Sequence, residues 1–126
     1  MGNREPSFTF GIEEEYHLVD LVSRGFAAAP TDMMRECEEA LGKQVAPEFF
    51  RSQIEIGTSV HKDFRAIRKE LAGLRRTIAE ITGKYAIAPI AAGKEFVKVI
   101  IIEIDQALNG EMQITQRERF RNFNSR

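Results

Sequence analysis

Between Phe8 and Asp20 the apolar residues fall at every second position, at Phe8, Phe10, Ile12, Tyr16 and Leu18. That is the period of a β-strand packed against a core on one face. Thr9, Gly11, Glu13, Glu15 and His17 share the opposite face, so two carboxylates project side by side. Like charges repel and strand interiors disfavour Glu, so solvent, cationic side chains or a bound metal must compensate them. Hard cations such as Mg²⁺ take carboxylate oxygens together with substrate phosphates. A solvated acidic face is the plainer reading. Glu14 lies on the apolar parity, and if buried it needs a cation, for which an arginine of the long helix below is the candidate.

A second strand spans 50–58, with Phe50, Ser52, Ile54 and Ile56 alternating with Arg51, Gln53, Glu55 and Gly57. If the two strands share a sheet with their polar faces on one side, Glu13, Glu15 and Glu55 converge, an arrangement that calls for a cation. Glu48, beyond the irregularity expected at Pro47, is a weaker candidate. From His61 to Gly83, Phe64, Ile67, Leu71, Leu74, Ile78 and Ile81 recur at three- and four-residue steps, marking a long amphipathic helix with Ser59 as N-cap. A shorter helix over 32–41 takes Thr31 as its cap and Gly42 as its stop. It buries Met33, Met34, Cys37 and Leu41, and no basic cluster lies beside Cys37 to activate its thiol.

Further strands are expected over 86–93 and 96–104, a turn at Asn109-Gly110, and a short helix from Thr115. The fold class that follows is α+β, a mainly antiparallel sheet of about four strands with two helices packed on one face. With 126 residues, 43% apolar and 29% charged, the chain suits a single domain over 1–126. Its 18 basic and 19 acidic residues give no overall attraction to nucleic acid or an anionic membrane. The ridge Arg65, Arg68, Lys69, Arg75 and Arg76 is a local exception, but without interleaved aromatics a nucleic-acid partner is disfavoured. One cysteine, no membrane-spanning apolar run and no apolar leader lead to a cytoplasmic expectation with no membrane partner. His17 and His61 have no second His or Cys at zinc-site spacing.

Phe8-Thr9-Phe10-Gly11-Ile12-Glu13-Glu14-Glu15-Tyr16, then Ser52-Gln53-Ile54-Glu55-Ile56-Gly57-Thr58, then the long helix into Ala88-Pro89-Ile90-Ala91-Ala92-Gly93 form three ordered blocks. Over about residues 7–93 they resemble the N-terminal part of the carboxylate-amine ligases related to glutamate–cysteine ligase type 2. The resemblance implies a partial glutamine-synthetase-like fold whose concave sheet face holds ATP and Mg²⁺, and amide formation through an acyl-phosphate. It implies Glu13, Glu15 and Glu55 as metal ligands, with Gln53 and Thr58 near an amino-acid substrate. Residues 94–126 depart from the family pattern, and members are several times longer, so the expectation is an ATP-dependent carboxylate-amine ligase or a truncated, inactive relative that retains part of its Mg-nucleotide site. The alternative, from another class, is a non-catalytic interaction protein that forms a homo-oligomer through exposed sheet edges, with 97–104 as the candidate to add a strand within the chain or across a dimer.

Overall fold

The computed structural model describes residues 7–91, 97–106 and 112–118. Its centre is β1 (Ser7–Asp20), which is long enough to pair with three other strands. On one edge it meets β3 (Gln53–Gly57) in the register Glu13 to Gly57, Glu15 to Glu55 and His17 to Gln53. On the other edge β4 (Ile87–Ile90) covers the C-terminal end of β1, from His17 to Asp20. β5 (Val97–Gln106) covers the N-terminal part, from Ser7 to Glu14. β2 (Val45–Pro47) extends the sheet beyond β3, and β6 (Met112–Glu118) extends it beyond β5. Every pairing is antiparallel, and the path runs β2-β3-β1-β5-β6 with β4 beside β1. Among the described residues, six strands therefore stand where about four were expected. The α+β class holds.

Two helices, α1 (Thr31–Leu41) and α2 (Phe64–Gly83), close one face of this sheet. Tyr16 and Leu18 of β1 and Ile54 and Ile56 of β3 join Met33 and Cys37 of α1 and Leu71, Leu74 and Ile78 of α2 in one core. These are the positions that periods of two and of three to four select. Cys37 is fully buried, and burial followed by the nearby Glu36 and Glu38 pushes its thiol up, away from nucleophilic behaviour.

Several local expectations give way to tertiary context. The second strand begins at Gln53, because the Gln53 N–H donates to the Phe50 carbonyl (3.0 Å) and the chain turns there. Phe50 is consequently exposed, edge to face with Phe49, instead of buried. Phe64 also leaves the apolar stripe: it is 74% exposed and its ring lies on Phe10. Asp63, whose carboxylate accepts from the Arg65 N–H at 3.0 Å, caps α2 in place of Ser59. Thr31 is the first residue of α1, preceded by Pro30, whose carbonyl accepts from Met34. Gly42 ends α1 as expected, at φ 58°, where a side chain would be strained. The helix expected from Thr115 is replaced by β6, since pairing with β5 gives 112–118 backbone partners that an isolated short helix lacks. The turn expected at Asn109-Gly110 lies outside the described residues.

Candidate functional site

Pleating sends Glu13 and Glu15 to the sheet face away from the helices, and both are partly exposed. Glu55 of β3 faces Glu15 directly across the ladder, and Gln53 faces His17. Directly opposed residues in an antiparallel pair have Cβ atoms about 4.5–5.5 Å apart. The structure thus brings Glu15 and Glu55 together, with Glu13 diagonal to Glu55 and leaning over Gly57: a Cβ built on Gly57 would stand 3.7 Å from Glu13 Cγ. On its other side Glu13 is in register with Lys98. Oxygen donors of this kind suit a hard divalent cation. Among the described residues, no three His, Cys, Asp or Glu side chains are gathered into a ready metal cluster, so the set is brought near by backbone register and not by side-chain convergence.

The remaining sequence candidates divide. Gln53 Nε2 lies 3.2 Å from His17 Nδ1, and the His17 ring lies against that of Phe26, whose backbone bridges to Val19. Gln53 and His17 therefore extend the carboxylate row along the same face. Thr58 has a different place: its hydroxyl accepts from the Ile12 N–H at 2.9 Å, and its own N–H donates to the Ile12 carbonyl at 2.9 Å. It continues the β1–β3 ladder past Gly57, beside the buried Gly11. Glu48 closes the turn between β2 and β3, accepting from the Phe49 N–H at 3.2 Å while its own N–H donates to the Gln53 carbonyl at 3.3 Å.

Glu14 is the inverse case. Only 1% exposed, it accepts from Arg75 of α2, through Nε at 2.9 Å and through a second guanidinium nitrogen, in a two-pronged pair. The Tyr16 hydroxyl donates to the same carboxylate. Burial, and then the hydrogen bond to Glu14, pushes the Tyr16 phenol up, so it stays a donor. The same carboxylate raises the Arg75 guanidinium further above its usual range. The arginine expected from the long helix is Arg75, one member of the basic ridge.

Glu70 was not legible as a special position. It is a hub in the structure, accepting from Gln44 Nε2 (2.6 Å), the Ser59 N–H and the Ser59 hydroxyl (both 2.9 Å), and pairing with His61. Burial opposes ionisation, but the Ser59, His61 and Gln44 contacts outweigh it and hold the carboxyl at about 2. Its only sequence signal is a place beside Leu71, on the border of the apolar stripe.

No family model matches this chain. It is 46% identical over 84 residues to a protein named "Putative glutamate–cysteine ligase 2" from Jannaschia sp., an alignment covering 67% of this chain and 22% of that protein. A protein of the same name from Rhodospirillum rubrum is 47% identical over 94 residues, covering 71% and 24%. A third, from Paracoccus denitrificans, is 46% identical over 87 residues, covering 69% and 23%. The chain spans about a quarter or less of the length of these curated relatives. Over the aligned part, which is most of its length, it belongs with the N-terminal region of the glutamate–cysteine ligase 2 family.

Proposed function

We propose that this chain carries part of the Mg²⁺–nucleotide site of an ATP-dependent carboxylate-amine ligase, with Glu15 and Glu55 holding the cation and Glu13 as the third ligand. The observation that carries this is the register: Glu15 and Glu55 are opposed on the face that the helices leave open. Bound Mg²⁺ would supply the charge neutralisation that phosphoryl transfer from ATP requires. In this reading Gln53, whose Nε2 lies 3.2 Å from His17 Nδ1, hydrogen-bonds the amino or carboxyl group of an amino-acid substrate beside the carboxylates. Thr58 contributes by fixing the end of β3 against β1. Calorimetric titration with Mg²⁺ or Mn²⁺ tests the site. The expected result is binding that falls at least tenfold in both Glu15→Gln and Glu55→Gln. Equal binding in wild type and variants overturns it. ATP turnover with glutamate and a pool of amine acceptors then decides whether this chain alone completes a reaction.

A second reading is a non-catalytic protein that dimerises through sheet edges; the 97–104 run adds its strand within the chain, paired by β1 on one side and β6 on the other, so the edge left for this reading is β6, at the end of the sheet order. Exposed edges recruit further strands. Light scattering showing only monomer at high concentration would remove this reading.

A further inference from the structure

The apolar alternation of β1 decides which side chains face the helices, but it does not decide how far along the ladder the strand sits. Phe10, Ile12, Tyr16 and Leu18 are all large and apolar on one parity, so a two-residue slip exchanges one for the next and keeps both faces intact. Such a slip would carry Glu15 from Glu55 to Gly57 or to Gln53, dispersing the carboxylate row. Only Glu14 interrupts the apolar series. Its carboxylate has an anchored guanidinium waiting at one place, since Arg75 follows the buried Leu74 on α2. In a slipped register Glu14 would occupy the position of Ile12 or Tyr16, and a buried carboxylate without its cation is strongly disfavoured.

We infer that the Glu14–Arg75–Tyr16 cluster is a register pin: it fixes β1 along β3 and thereby places Glu13 and Glu15 beside Glu55 on the opposite face. These are positioning residues. None of the three side chains faces the carboxylate row, and their effect passes through the strand. The device is economical in sequence, because the residue that sets the register lies between the two it positions. The register claim stands independently of the ligase reading, while its value for metal binding rests on that reading.

The test compares the full 126-residue chain with a variant in which the pin is made apolar, Glu14→Leu with Tyr16→Phe and Arg75→Met. Buried ion pairs are commonly replaced by apolar groups of similar volume without loss of folding. Cross-strand backbone NOEs between β1 and β3 read the register directly. Wild type is expected to show one set pairing Glu15 with Glu55. The apolar variant is expected to show a second set, in which Glu15 pairs with Gly57 or Gln53, populated to at least a tenth. A single unchanged set in the folded variant overturns the inference. Should that variant not fold, Glu14→Gln, which keeps the side chain's size and leaves no buried charge unpaired, gives the reading at lower amplitude. Exchange broadening of the amides of residues 13–17 supports the pin, and sharp amides with wild-type NOEs overturn it. Mn²⁺ titration of the same samples reports separately on the metal reading. If Mn²⁺ fails to bind wild type, the proposed ligase site falls while the NOE result still decides the register.

Discussion

Glu13, Glu14 and Glu15 are chemically identical neighbours, yet the two faces of β1 treat them in opposite ways. Toward the helices, Glu14 is buried and locked between Arg75 and Tyr16. Toward the open face, Glu13 and Glu15 remain partly exposed beside Glu55. A carboxylate inside a low-dielectric core must be neutralised by a fixed partner, whereas one at the surface keeps water and stays available to a cation. The helix side encloses its carboxylate, and the other side leaves its carboxylates partly exposed to water.

The strongest way to break this contrast is Arg75→Met, which leaves Glu14 buried without its cation. A loss on the order of 3 kcal/mol or more in urea unfolding is expected, against changes within about 0.5 kcal/mol for Glu13→Gln or Glu15→Gln. Equal effects would mean that the two faces do not differ. The adjacent pair Leu18 and His17 sharpens it: Leu18→Ala should cost about 3 kcal/mol through the cavity it leaves, and His17→Ala under about 1 kcal/mol, in the same assay.

Acid unfolding probes the contacts that hold α2 beside the ladder. Glu70 sits at about 2 in the folded protein against an ordinary 4.5, so its contribution is present above about pH 4.5 and is lost as the pH falls from there toward 2. Glu70→Gln should remove on the order of 1–2 kcal/mol at pH 7, after allowance for its partial exposure. It should also flatten the stability profile between pH 4.5 and 2. An unchanged profile would assign acid lability elsewhere. The smallest effect is expected at Tyr85, whose hydroxyl donates to Glu36 at 2.6 Å and is pushed up to about 12, chiefly by that bond. Tyr85→Phe should leave the urea midpoint almost unchanged.

The most legible parts of the chain were those where periodicity and burial agree. The parity of β1 from Ile12 to Leu18, the Ile67-Leu71-Leu74-Ile78 stripe and the Gly42 stop all follow from local geometry, and each is present, whereas at the start of β1 the pattern reverses, with Phe8 47% exposed and Thr9 buried. So does the sharing of one face by Glu13 and Glu15. Phe50 and Phe64 show why the rest was not legible, since both fit a local pattern yet stand at element ends, where a turn or a loop takes them out of the core. The tail at 112–118 chose strand over helix because a partner strand was available, which no local propensity reports.

By itself, then, the sequence determined the two faces of β1, the helix that covers one of them, and the need of Glu14 for a cation. Only the tertiary structure decided that the cation is Arg75, that Glu15 stands opposite Glu55, and that Glu70 gathers Gln44, Ser59 and His61. The division has a physical cause. Side-chain period is a property of a single chain segment, whereas register and ion pairing depend on the relative placement of segments as far apart in sequence as Glu14 and Arg75.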